Sequence, residues 1–74
     1  MDESKMVHKV NGICRFFAAY PHEEAVAGIA DHLQKNWEPR FRRQLVEYVR
    51  AGARGLHPLA VEAIAKVTVP AEAS

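Results

Sequence analysis

Three observations predict an all-α fold, a small compact bundle of four short helices forming one domain over residues 1–74. Apolar residues recur every three or four positions, the period of a helix with one buried face. Prolines stand at 21, 39, 58 and 70, at the seams between those periodic runs. No stretch alternates apolar and polar residues long enough for a strand, and only Val67, Thr68 and Val69 are ambiguous. The ordered core is expected over about residues 4–68, with flexible tails at 1–3 and 70–74.

The first helix is expected at roughly 4–19. There Met6, Val10, Ile13, Phe17 and Tyr20 advance by four, three, four and three, filling one narrow stripe that Val7, Cys14 and Phe16 widen. The second, at roughly 21–36, gathers Val26, Ile29, Ala30, Leu33 and Trp37 on one face. Phe41, Leu45, Tyr48 and Val49 do so in the third, at roughly 39–51, and Ala60, Val61, Ile64 and Val67 in the fourth, at roughly 58–68. Pro21, Pro39 and Pro58 suit the first helical position, where a missing N–H costs nothing, so Tyr20, Glu38 and His57 become the expected caps. Gly52 and Gly55 bracket the turn after the third helix. Short connections favour neighbouring helices packed roughly antiparallel.

A chain of this length hides only about 62% of its unfolded surface on folding, and small domains usually lean on disulfides, metals or partners. The lone Cys14 cannot form an internal bridge. His8, His22, His32 and His57 are scattered, with no HxxxH pair, CxxC or HExxH, so no metal site is expected. A partner chain is the remaining source of added stability. The net charge of +1 is too small to imply nucleic acid. No apolar run suits a membrane span, and the first ten residues lack the apolar core of a signal peptide, so cytoplasmic residence with a reduced thiol is expected.

On the wheel of the third helix, Arg40, Arg43, Arg50 and Arg54 fall within about 80° of one another, nearly opposite the apolar stripe. Two readings stand. Glu47 can pair with Arg43 or Arg50 on a solvated face, or the guanidinium groups form a ridge that docks on an acidic protein surface or phosphate. Gly12 and Gly28 each interrupt a helix interior at a cost of about 0.5–1 kcal/mol. Both are expected on outer faces, where a small residue admits another backbone; Phe16 beside Gly12 and His32 beside Gly28 join them as contact candidates. Trp37 closes one helix and Phe41 opens the next, which clamps that corner and makes Trp37 a candidate anchor. Asp31 and His32 diverge by about 100° on one helix, Cys14 behaves as a small buried hydrophobe, and no phosphate-binding glycine loop is present. No catalytic or cofactor-binding residue is therefore assigned. The partner-docking candidates are Gly12, Phe16, Gly28, His32, Trp37, Arg40 and Arg43.

Two runs, Ile29-Ala30-Asp31-His32-Leu33 and Trp37-Glu38-Pro39-Arg40-Phe41-Arg42, together with Gly55-Leu56-His57-Pro58-Leu59, carry a family pattern. Val10-Asn11-Gly12-Ile13 and Phe16-Phe17-Ala18 extend it upstream. The chain resembles, over about residues 6–67, the delta subunit of cytoplasmic NAD-dependent formate dehydrogenases that contain molybdenum or tungsten. It departs where the family more often has Asp in place of Glu38 and an aromatic in place of Asn36. The resemblance implies an accessory subunit without a cofactor of its own. The alpha subunit would carry the bis-pterin metal centre and iron–sulfur clusters, the beta subunit FMN and the NAD site, and the gamma subunit a further cluster. The delta chain would support assembly or stability of the alpha subunit, which oxidises formate to CO₂. Two alternatives are an assembly chaperone for the apo-alpha subunit and a free-standing helical adaptor.

Overall fold

Every helix opens behind a residue with extended backbone, and proline sets three of the four openings. The structure, a computed structural model, describes residues 1–67. Its elements are α1 (Glu3–Phe17), α2 (His22–Asn36), α3 (Pro39–Arg50) and α4 (Pro58–Ile64). Asp2 caps α1 by accepting from the Lys5 amide at 3.3 Å, and Gln44 of α3 holds Met1 through both its amide atoms. Glu38 and His57 precede α3 and α4 as expected. The His57 ring caps α4, its Nδ1 accepting from the Leu59 amide at 3.1 Å.

The cap of α2 corrects the expectation of Tyr20. Pro21 itself is the cap, with φ −54° and ψ 149°, and its carbonyl accepts the first helical bond from Ala25 at 2.8 Å. α1 stops at Phe17, two residues short of the expected end, because the chain turns there and the Tyr20 amide bonds back to the Phe17 carbonyl. α4 ends at Ile64 in a turn over Ala65 and Lys66, short of the expected 68. Thr68, Val69 and the expected tail at 70–74 lie outside the described residues. Among the described residues there is no strand.

The core draws Met6, Val10 and Cys14 from α1, Ala25, Val26, Ile29, Ala30 and Leu33 from α2, Leu45 from α3, and Leu59, Ala60, Ala63 and Ile64 from α4. The radius of gyration, 11.5 Å, matches the roughly 11 Å of a compact fold this long. The α4 face is rotated from the expected one. Leu59 and Ala63 turn inward and Val61 stays 39% exposed, because α4 packs chiefly on α2. The end of α1 is also more open than its stripe suggests, with Tyr20 exposed past the helix terminus.

α3 departs most from the expected pattern. It rests on α4 more than on its chain neighbour α2. Leu45 is its one fully buried apolar residue, while Phe41, Tyr48 and Val49 are half-covered. Arg42 is buried within the same stripe. Its Nη1 donates to the Trp37 carbonyl at 2.5 Å and the Gln34 carbonyl at 3.1 Å. The end of α2, with its unpaired carbonyls and negative dipole, is where such a cation is favoured.

After Arg50 the backbone enters the left-handed region at Gly52 (φ 128°), Ala53 (φ 53°) and Gly55 (φ 78°). Arg54 thus lies in a turn, and the expected ridge keeps only Arg40, Arg43 and Arg50 on α3. Two side chains fix that turn. The Tyr48 hydroxyl donates to the Arg54 carbonyl at 2.6 Å. Asn11 donates through Nδ2 to the Gly55 carbonyl and accepts through Oδ1 from the His57 amide, both at 2.8 Å.

Candidate docking face

The corner between α2 and α3 forms an open groove of about 220 Å³, lined by Met1, Lys9, Asn36, Trp37, Glu38 and Phe41. Trp37 is half-buried against the core, so its clamping role and an exposed edge coexist. Arg40 contacts two of these residues. Its Nε donates to Glu38 Oε1 at 3.0 Å, and its guanidinium stands 4.8 Å from the Phe41 ring centroid. The ring contact and the exposed ion pair bias the charge toward this side of the corner. Arg43 is half-buried and engaged by a neighbour.

Lys9 joins this groove to α1. From it, Gly12 and Phe16 follow at spacings of three and four along one flank of the helix. Phe16 is 66% exposed. Its ring stands edge-on to Phe17 at 5.1 Å, and Tyr20 leans on both rings at 6.3 and 5.7 Å.

The two helical glycines differ. A Cβ added at Gly28 would lie 2.5 Å from Phe17 Cε1, so the α1 ring fills that notch. Gly28 is therefore an internal packing notch rather than a point on an outer face. At Gly12 a Cβ would meet only Arg15 Nη2, at 3.8 Å. On α2, His32 is half-buried and four residues from both Gly28 and Asn36; Asn36 Nδ2 donates to its carbonyl at 3.1 Å. The structure thus connects Phe16, Gly12 and Trp37 through Lys9, sets Arg40 against Glu38 and Phe41 of the same groove, and places Gly28 behind Phe17. Sequence reading missed Lys9, Asn11 and Arg42. Arg42 had a signal, since it stands three residues before Leu45 inside an apolar stripe.

Cys14 is fully buried, and burial pushes its thiol up, partly offset by a hydrogen bond with the Ala60 backbone and the charge of Arg15. Among the described residues no three His, Cys, Asp or Glu side chains converge to hold a metal, and no helix is long and apolar enough to cross a membrane.

Fold and surface together define a small four-helix domain with one core and an aromatic, basic flank open to solvent. A family model, NADH-dependent formate dehydrogenase delta subunit FdsD, matches residues 5–64, from the first turn of α1 to the last residue of α4. The chain belongs to that family. No curated protein and no solved structure matches it.

Proposed function

We propose that this chain is a non-catalytic accessory subunit of a cytoplasmic NAD-dependent formate dehydrogenase, docking on the catalytic alpha subunit and supporting its assembly or stability. The family match across all four helices carries this proposal. The bis-pterin molybdenum or tungsten centre, the iron–sulfur clusters and FMN are assigned to the alpha, beta and gamma subunits. The corner of Trp37, Arg40 and Arg43 is assigned a part in docking: an aromatic edge beside guanidinium groups suits an interface anchor.

A tagged chain expressed in its native host tests the function. Recovery of a large metallo-subunit with it is expected, and its absence sinks the proposal. Stoichiometric presence in the mature enzyme supports a subunit, whereas release after cofactor loading supports a chaperone. The double variant Arg40→Glu, Arg43→Glu is expected to lower complex yield while the isolated chain keeps its helical circular dichroism. Unchanged yield rejects the corner as a docking element.

A further inference from the structure

We infer that the exposed flank of α1, formed by Lys5, Lys9, Gly12 and Phe16, receives an acidic helix of the partner subunit, with a bulky side chain entering the notch at Gly12 and an apolar pocket taking Phe16. This inference rests on the docking function proposed above and names the chemistry of the surface that docks.

Five observations meet on this flank. The residues are spaced by four, three and four, so they form one row along the helix. The charge on the row is entirely positive, and no ion pair involves the Lys5 or Lys9 side chain among the described residues, in contrast to Asp31–Lys35 and Glu38–Arg40. Within α1 itself, Glu3 is the only carboxylate.

Gly12 weakens an otherwise regular helix, yet among the described residues only the far end of the flexible Arg15 side chain, 3.8 Å from where a Cβ would stand, borders the space it leaves. Gly28 shows the occupied version of the same device, filled by an aromatic ring from another helix. Phe16, the neighbour of the ring that fills Gly28, is 66% exposed but already restrained by Phe17 and Tyr20. A restrained exposed ring loses less freedom when it is buried at an interface. Finally, Lys9 lines the groove of Trp37 and Phe41, making the row continuous with the corner.

These features select the occupant. A glycine notch on a helix favours close approach of another helix. Lys5 and Lys9, about 6 Å apart along the axis, match carboxylates spaced one turn apart. A second copy of this chain offers no carboxylate on this row, so an acidic partner helix is the better complement.

The test uses the complex co-expressed with all its subunits. Phe16→p-benzoylphenylalanine is expected to cross-link to a larger subunit at a helix bearing Asp or Glu within two turns of the attachment point, and the same residue at Val61 is not. Lys5→Glu combined with Lys9→Glu is expected to reduce retention by about tenfold. Gly12→Leu is expected to do the same without lowering the melting temperature of the isolated chain, since only the movable end of Arg15 borders the notch there. Full retention of both variants, or cross-linking to a second copy or to a segment without carboxylates, overturns the inference. If Arg40→Glu, Arg43→Glu then still releases the chain, the docking function stands and only this face is wrong. A wild-type chain that fails to join any subunit removes both.

Discussion

α2 and α3 are joined by a single corner but are held in place by different physics. α2 buries five apolar residues between α1 and α4. α3 buries one, Leu45, and its inner stripe contains the charged Arg42. Much of what holds α3 is polar: Arg42 on the carbonyls at the end of α2, and Tyr48 on the turn that follows α3. Apolar burial is non-directional and tolerates small shifts, whereas hydrogen bonds to carbonyls fix distance and angle. α2 therefore supplies cohesion, and α3 is set in orientation relative to it. A helix positioned this way can present its outer residues in a defined geometry without a large core of its own.

Substitutions can separate the two. Leu33→Ala removes a fully buried side chain of α2 and is expected to cost about 2–5 kcal/mol. That is a large share of the roughly 4–11 kcal/mol available to a domain this long, and chemical denaturation should show a global loss. Arg42→Met keeps the apolar stem and deletes the carbonyl bonds, at an expected cost of about 1.5–3 kcal/mol. Hydrogen exchange should localise the loss to α3 and the end of α2; uniform loss along the chain would show that α3 is no more independent than α2.

Glu38→Asp is expected to add about 0.5–1 kcal/mol to the start of α3. Asp is the better cap, Glu38 makes no capping bond, and its exposed pair with Arg40 is worth little. A rise in melting temperature checks this. Cys14 gives the smallest effect, absent at neutral pH. Its thiol is raised in the folded state, so the unfolded chain loses that proton first. Stability from this group is intact below the ordinary thiol value, about 8.5, and falls as pH rises through the higher folded value. Raising the pH above about 8.5 should lower the melting temperature of the wild type more than that of Cys14→Ala, which lacks the titrating thiol; equal alkaline slopes would show that burial of the thiol has no such effect.

Local features were legible in the sequence, and tertiary partners largely were not. Proline and apolar period located α2, α3 and α4 because both act within a turn or two of their own position. Asn11 and Gly55 are 44 residues apart, and neither spacing nor composition reports such a pair. Gly28 reads as an exposed gap on its own helix because the ring that fills it belongs to α1. Val61 is misplaced for a related reason: on a helix as short as α4, the neighbour it packs against decides which side is covered. At the candidate docking face, Phe16, Trp37 and Arg40 were recognisable by residue type. Lys9 became visible only once α1 lay beside the corner.

Asn11 precedes Gly12, a pairing that in a loose chain ages chemically: the glycine nitrogen attacks the side-chain amide, ammonia leaves, and water opens the resulting ring to an acid. In the folded protein the Gly12 amide lies within helix α1, and both ends of the Asn11 side chain are engaged by the turn before α4. The fold thus protects the bond that helps to close it. Time spent unfolded would replace a donor facing the Gly55 carbonyl with a carboxylate that repels it, so each opening of the chain carries a risk of not closing again.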